Sequence, residues 1–233
     1  MELESLKRNL DAVKERIIRA CEKAGRSADT VKLVAVSKTK SVEMIQAALA
    51  LGQLDFGENY AQELRDKAAA IPQSARDSRL RWHFIGSLQR NKVKYLVGKV
   101  VMIHSIDSAE LIEEIEKRAL SQGIKVPVLL ELKLSEEETK TGIEPGNLVS
   151  LAERALQSPG VELQGLMTMA PYLKDPEQSR PYYVRLRETR DELAKRVGKT
   201  LPELSMGMSQ DFEVAIEEGA TMVRVGTAVF GAR

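Results

Sequence analysis

A lysine directly after a buried strand is the first candidate for chemistry in this sequence. The segment VKLVAVS (31–37) is rich in β-branched residues and apolar on both faces, which is typical of a strand buried on both sides. Lys38 follows it and shares a strand face with Val34 and Val36, because alternate residues of a strand point to one side. A lysine at a strand end is ordinarily a solvated surface charge, but inside an enclosed mouth it loses its proton more easily and can form a Schiff base.

A turn that contains glycine and serine is a candidate anion site. SMGMSQD (205–211) runs from a predicted strand into a helix, where Gly207 permits close backbone approach and Ser209 is a natural N-cap. Exposed backbone N–H groups and the helix dipole attract anions at such a turn. Asp211 adds a negative charge in the first turn, so a phosphate requires that its side chain turns away. A plain capped helix is the alternative interpretation.

A second turn, VRVGTA (223–228), offers related chemistry at the end of the last predicted strand. Arg224 and Gly226 alternate along the strand, so both can face one side, with Thr227 beside them. In parallel barrels the loops after the seventh and eighth strands frequently bind phosphate. The two turns together therefore predict a phosphate site, with an Arg224 paired to a surface carboxylate as the alternative.

Other side chains could line the same mouth. Asn59 and Tyr60 follow the second predicted strand in FGENYAQE, where a polar group and an aromatic ring suit a planar ligand. Asn is also an ordinary helix cap. His83 alternates with Trp82 and Phe84 and is expected on the opposite face, either in the ligand pocket or as a hydrogen-bonded core histidine.

The composition excludes several classes of protein. The 233 residues include 35 Lys and Arg against 34 Asp and Glu, without the basic excess of a nucleic-acid or membrane-surface binder. The single cysteine, Cys21, excludes an internal disulfide and falls on the apolar stripe of the first helix, which favours a core role. His83 and His104 are too far apart in sequence for a typical zinc motif. With no signal peptide and no membrane-spanning apolar run, we expect a cytoplasmic protein.

Strands and helices alternate along the chain, and they must position these residues. The predicted helices are 2–24, 41–52, 60–70, 89–97, 108–121, 145–157, 176–197 and 209–218. The predicted strands are 31–37, 54–59, 81–86, 101–106, 126–133, 161–169, 203–208 and 221–226. Such alternation predicts a parallel sheet, and eight units predict a (β/α)8 TIM barrel with an extra N-terminal helix. A doubly wound open sheet is the alternative. Without a Ser- or Pro-rich linker, residues 1–233 are expected to form a single domain.

Seven segments resemble the pyridoxal phosphate homeostasis family, also called the YggS or PROSC family. They are LVAVSKTK (33–40), FGENYAQE (56–63), WHFIGSLQRNK (82–92), TKTGI (139–143), GLMTMAPY (165–172), MGMSQD (206–211) and VRVGTAVFG (223–231). The resemblance spans nearly the whole chain in the family's order. The fold that it implies is a fold-type III barrel that binds pyridoxal 5′-phosphate (PLP), similar to the N-terminal barrel of alanine racemase.

The resemblance also implies roles for residues at matching positions. Lys38 is the implied Schiff-base lysine, and Arg224 matches an arginine that donates a hydrogen bond to the pyridine nitrogen. The other implied cofactor-binding positions are Ser209, Gly226 and Thr227 with the backbone near Met208 for the phosphate, and Asn59, His83 and Met206 for the pocket wall. From the strand pattern alone, the methionines are expected to be packing residues.

The function implied by the resemblance is PLP binding in vitamin B6 homeostasis without significant turnover. Arg224 can only donate to the pyridine nitrogen, which leaves the ring unprotonated and a weak electron sink. Racemisation needs a second base, which alanine racemase supplies as a tyrosine from an additional domain. This chain ends soon after its eighth strand, so Tyr60 or Tyr172 would have to substitute. A single-domain amino-acid racemase and a barrel for another phosphorylated metabolite are the alternatives.

The implied partners are small molecules. They are PLP and other B6 vitamers, with PLP-requiring apo-enzymes as candidate acceptors, and no nucleic acid or membrane is expected. Because the domain that builds the racemase dimer is not found in this sequence, we expect a monomer.

Overall fold

The computed structural model describes residues 3–71, 80–135 and 141–231, in which eight parallel strands close into a barrel. The strands are β1 Lys32–Val36, β2 Asp55–Glu58, β3 Arg81–Phe84, β4 Met102–Ile106, β5 Val126–Glu131, β6 Val161–Met167, β7 Glu203–Met208 and β8 Met222–Val225. Each strand pairs with the next one in sequence, and β1 pairs with β8. The predicted (β/α)8 barrel is confirmed, and the open sheet is wrong.

Helices surround this barrel. In the described residues they are α1 Leu3–Lys23, α2 Val42–Ala50, α3 Ala61–Ala70, α4 Ala109–Ser121, α5 Leu148–Gln157, α6 Arg180–Val197, α7 Phe212–Glu217 and α8 Thr227–Phe230. The extra N-terminal helix α1 packs on α7 and α8 and buries its apolar stripe, including Cys21, as predicted. None of these helices is both long and apolar enough to cross a membrane.

Side chains of the strands alternate between the barrel interior and the layer under the helices. The outer layer holds the larger hydrophobic core, to which Trp82 and Phe84 belong. The interior holds a smaller apolar cluster of Val34, Met102, Leu129, Met167 and Met222. Because strand parity decides the side, Val34 places Val36 and Lys38 on the interior side at the carboxyl end of β1.

A bulge in β7 changes the direction of its last side chains. Ser205 pairs with Met222 and Met208 pairs with Arg224, so three steps along β7 match two along β8. The bulge includes Gly207, whose φ of 89° lies in the left-handed region that favours glycine. A Cβ at this position would lie 2.6 Å from the Ala215 Cβ and 2.9 Å from the Phe212 Cα.

Helical segments differ from the sequence prediction at several places. The segment predicted as helix 89–97 is a 3₁₀ helix, Arg90–Tyr95, in keeping with the low helix propensity of its Asn, Val and Tyr residues. The helix predicted over 209–218 begins at Phe212, because the Ser209 hydroxyl accepts hydrogen bonds from Gly226 and Ala228 instead of capping it. The short helix α8 was not predicted.

Gly207→Ala should cost about 3 kcal/mol of unfolding free energy, because a left-handed backbone and close contacts with the Ala215 Cβ and the Phe212 Cα both oppose a Cβ. Gly198→Ala is the matched control. Its φ is 63°, but nothing lies within 4 Å of the added Cβ, so only the backbone penalty of about 1 kcal/mol applies. Urea unfolding of both variants measures the difference. Equal losses would contradict the packing constraint at the bulge.

Candidate functional site

A cavity of about 400 Å³ opens at the carboxyl ends of the strands. Its volume lies within the range of small-molecule pockets, roughly 300–1,000 Å³. Lys38 and Arg224 both line it, together with the turn residues Ser209, Gly226 and Thr227. The other lining residues are Val36, Asn59, Ile85, Met169, Pro171, Tyr172, Leu173, Met208, Gln210 and Asp211. The structure therefore brings the predicted lysine, arginine and phosphate turns to one cavity.

The loop that carries Lys38 is held on both sides of the lysine. On one side, the Lys67 ammonium donates to the Ser37 carbonyl at 2.7 Å. On the other, the Thr39 N–H donates to Glu63 Oε1 at 2.6 Å. Thr39 has a φ of 64°, which a β-branched residue rarely adopts. Tertiary contacts, rather than local preference, therefore keep this loop in its conformation.

Lys67 joins two carboxylates beneath that loop. Its ammonium lies 2.7 Å from Glu58 Oε1 and 2.7 Å from Glu63 Oε1. The Ser37 hydroxyl donates to the same Glu58 oxygen at 2.6 Å. The side chain of Glu58 is fully buried and that of Lys67 is 8% exposed. Burial raises the pKa of Glu58 above its usual value, and hydrogen bonds from Lys67 and Ser37 counteract this only in part. Without Lys67, a buried carboxylate would lose its counter-ion.

The two predicted phosphate turns meet at Ser209. The backbone N–H groups of Gly226 and Ala228 both donate to Ser209 Oγ, at 3.2 and 3.4 Å. Ser209 Oγ thus joins the two turns at the cavity wall, where Ser209, Gly226 and Thr227 all line the cavity. Since Ser209 Oγ accepts from the backbone, its own hydrogen can donate to a ligand.

Asp211 lines the cavity, but protein donors occupy both oxygens of its carboxylate. Asp211 Oδ1 accepts the Met208 N–H at 2.7 Å. Oδ2 accepts the Tyr183 hydroxyl at 2.7 Å and the Ser179 hydroxyl at 3.1 Å. Burial, with the Asp211 charge second, raises the pKa of Tyr183 well above its ordinary value, so its phenol stays protonated and donates. The condition that the sequence set for a phosphate site is therefore met.

Arg224 lies at the inner end of the cavity and is 4% exposed. Its Nη1 donates to Ser205 Oγ at 2.6 Å, and its Nη2 donates to the Thr168 carbonyl at 2.9 Å. Burial lowers the pKa of the guanidinium, while Tyr183 and Glu131 raise it. An arginine nevertheless stays protonated in proteins, so Arg224 supplies a buried cation that can only donate. The alternative of a surface ion pair is wrong.

Asn59 lines the cavity with an unsatisfied side-chain hydrogen-bond acceptor. Among the described residues, its side-chain oxygen is buried and has no hydrogen-bond partner. It does not cap a helix, because α3 begins at Ala61 and Tyr60 holds the cap position. Tyr60 is 57% exposed and does not line the cavity, whereas Tyr172 lines its rim and is 77% exposed.

His83 and Met206, both predicted to line the pocket, lie outside the cavity lining. His83 is on the interior side, as the alternation with Trp82 predicted, but one layer deeper than Ile85. It is 1% exposed and hydrogen-bonded to other interior side chains, which matches the alternative of a core histidine. Met206 packs in the outer core, because it follows the interior residue Ser205 and alternation turns it outward. The bulge at Gly207 then brings Met208 to the cavity.

Sequence reasoning missed the residues that support the site. Glu63 and Lys67 stand four residues apart on α3, a spacing that could have indicated an ion pair. Glu58 lies inside a segment already recognised as FGENYAQE, but no local pattern places its carboxylate under Ser37. Of the segment TKTGI, Thr139 and Lys140 lie outside the described residues.

Comparison with known proteins shows full-length relatives. Residues 5–233 match the family described as alanine racemase, N-terminal domain. The pyridoxal phosphate homeostasis protein of Aquifex aeolicus is 53% identical over 224 residues, which cover 96% of this chain and 96% of that protein. A protein of the same name from Vibrio cholerae is 37% identical over 231 residues, covering 99% of this chain and 98% of the relative.

A solved structure agrees with these relatives. PipY from Synechococcus elongatus, solved with PLP bound, superposes with a TM-score of 0.85 at 32% identity. The match covers 97% of this chain and 100% of PipY.

Lys67→Met should cost about 3–5 kcal/mol of unfolding free energy, because it leaves the buried Glu58 without its counter-ion. Urea unfolding measures the loss. The double variant Lys67→Met with Glu58→Gln is the control, and it should be more stable than the single variant, since a neutral amide needs no counter-ion. If the unfolding free energy of Lys67→Met lies within about 1 kcal/mol of the parent protein, as for exposed ion pairs, then Lys67 does not hold the Lys38 loop in place.

Proposed function

This chain belongs to the family of pyridoxal phosphate homeostasis proteins, and from this premise we propose that it binds PLP covalently through Lys38 and serves vitamin B6 homeostasis without significant turnover. The observation that carries the proposal is the meeting of Lys38, the turn at Ser209 and the buried Arg224 in one cavity. The PLP-bound structure of the similar PipY supports the choice of ligand.

The polar groups of the cavity fit PLP. When bound, PLP supplies an aldehyde that reacts with amines and a ring that can withdraw electrons. In the proposed site Lys38 provides the amine, and Ser209, Gly226 and Thr227 hold the phosphate with the backbone near Met208. The unpartnered oxygen of Asn59 offers an acceptor that a ligand donor would satisfy.

Arg224 supports a carrier rather than an enzyme. Its guanidinium has donors only, so toward a pyridine nitrogen it donates and leaves that nitrogen unprotonated. A carboxylate at that place would accept from the ring nitrogen and favour the protonated ring on which carbanion chemistry depends. Tyr172 is a poor second base, because it stands at the exposed rim with its hydroxyl 3.1 Å from Gln210 Nε2. PLP held at this open rim would stay accessible to acceptor amines, and we propose apo-enzymes among them.

Lys38→Ala should abolish the covalent adduct. The protein loaded with PLP is expected to show a visible absorbance band and, after borohydride reduction, a PLP-modified peptide that contains residue 38. Both should vanish in the variant, since no other lysine lines the described cavity. Peptide mapping by mass spectrometry identifies the modified residue.

Lys40→Ala is the matched control, because Lys40 lies on the same loop but donates to the Phe230 and Gly231 carbonyls. It should keep the adduct on Lys38. An adduct on another lysine in Lys38→Ala, formed without loss of yield, would overturn the assignment of Lys38. A parent protein that takes up no PLP would overturn the assignment of PLP as the ligand.

The PLP-loaded protein should racemise amino acids far more slowly than an enzyme. Incubation with L-alanine or L-serine, followed by chiral chromatography, measures the rate. Sustained turnover of about 1 per second or more would favour the racemase alternative over the homeostasis proposal.

A further inference from the structure

A continuous line of polar side chains crosses the barrel interior beneath the cavity. It starts at Arg224, at the inner end of the cavity, and ends at an ion pair near the amino ends of the strands. The contacts in order are Arg224 Nη1 to Ser205 Oγ, 2.6 Å; Ser205 Oγ to His104 Nδ1, 2.8 Å; His104 Nε2 to His83 Nδ1, 2.9 Å; His83 Nε2 to Asp55 Oδ1, 2.9 Å; and Asp55 to Arg81, 2.8 and 2.5 Å.

Because the residues of this line are buried, each of their hydrogen-bond donors and acceptors needs a partner within the protein. His104 and Ser205 are fully buried, His83 is 1% exposed, and Asp55 is 5% exposed. A buried donor or acceptor left unsatisfied costs roughly 1–3 kcal/mol, so each contact needs one donor and one acceptor.

At the carboxylate end, Asp55 determines which atom donates in its contact with His83. Burial raises the pKa of Asp55, but hydrogen bonds from His83 and Arg81 outweigh it and hold the pKa below its usual value. Asp55 is therefore ionised and can only accept, so His83 carries its hydrogen on Nε2. His83 Nδ1 then either donates to His104 Nε2 or accepts the hydrogen of that nitrogen.

The arginine end decides the direction of the His83–His104 contact. Arg224 can only donate, so it occupies one of the two lone pairs of Ser205 Oγ. Among the described residues the hydroxyl hydrogen of the buried Ser205 has no acceptor other than His104 Nδ1, so Ser205 donates to that nitrogen. His104 Nδ1 is then an acceptor and its Nε2 a donor, so His83 Nδ1 accepts from His104 while His83 Nε2 donates to Asp55. Burial, with His83 and Arg224 next, lowers the pKa of His104 well below its ordinary value, so this ring is neutral.

We propose that Ser205, His104, His83 and Asp55 are positioning residues for Arg224. They form a hydrogen-bonded chain with one direction, in which both imidazoles carry their hydrogen on Nε2. With Ser205 committed to His104, only its lone pairs face Arg224, and Thr168 holds the second guanidinium nitrogen. Arg224 is thereby kept in one orientation at the cavity. The effect of Arg224 on a cofactor ring rests on the proposed function, whereas the direction of the hydrogen-bonded chain does not.

Both histidines of the sequence belong to this hydrogen-bonded chain, so the NMR signals of histidine rings report on these two residues alone. Labelling the histidine ring nitrogens and correlating them with the ring carbon-bound hydrogens by NMR identifies the tautomer of each ring. In PLP-free protein at neutral pH, both rings should be neutral with the hydrogen on Nε2. A hydrogen on Nδ1 of either ring, or an imidazolium at His83, would reverse the chain and overturn the proposal.

A pair of variants tests the effect on Arg224. His104→Leu removes the acceptor of the Ser205 hydrogen, while His104→Asn returns an oxygen near the position of Nδ1. In the PLP-loaded protein His104→Leu should weaken PLP binding about fivefold, equivalent to one hydrogen bond of about 1 kcal/mol, and shift the visible absorbance. His104→Asn should lie closer to the parent protein in both.

Unchanged affinity and absorbance in His104→Leu would overturn the positioning role. If neither variant folds, the tautomers of the parent protein decide the direction of the chain. A parent protein that binds no PLP but shows both Nε2 tautomers would contradict the proposed function and support the chain, so the two failures are distinguishable.

Discussion

The site depends on the hydrogen bonds between β1 and β8 that close the barrel. They set Lys32 opposite Met222 and Val34 opposite Arg224, at the two ends of the chain. Closure removes both edges of the sheet and brings the carboxyl ends of the first and last strands together. Lys38 therefore shares a cavity with Gly226 and Thr227, whose strand neighbours its own. An open sheet with the same strands would leave this lysine on an edge, far from the turns that can hold an anion.

The closed barrel imposes a second constraint, because polar groups inside it cannot reach water. The interior combines an apolar cluster with the polar line from Asp55 to Arg224, and each member of that line has a partner. Outside the barrel wall, Lys67 pairs with Oε1 of the buried Glu58 beneath the Lys38 loop, whereas Glu58 Oε2 has no hydrogen-bond partner among the described residues. Two different groups of side chains thus support the cavity in the described residues: Lys67 with Glu58 and Glu63 beneath the Lys38 loop, and the polar line from Ser205 to Asp55 behind Arg224.

The alternation of residues along strands and the spacing of apolar residues were sufficient to predict most of the fold and much of the site. Alternation along single strands placed Lys38, Arg224 and Gly226 on the side where the structure has them. The family resemblance, and not alternation, placed Met206 in the pocket wall, and Met206 packs in the outer core on the side opposite the interior Ser205. Alternation fails at Met208, because a bulge adds one residue to β7 and brings this side chain to the cavity. Alternation gave the correct side for His83 but not its depth, since depth depends on strand stagger, which no single strand encodes.

The sequence by itself determined the class of fold, the order of the strands and the residue types gathered at their carboxyl ends. These follow from local patterns of two and 3.6 residues, which report burial without needing partners. Only the tertiary structure decided that Ser209 accepts the N–H groups of α8 rather than capping α7, and that Asp211 turns toward Tyr183. Such choices depend on which donors lie nearby in space, and segments distant in the sequence supply them.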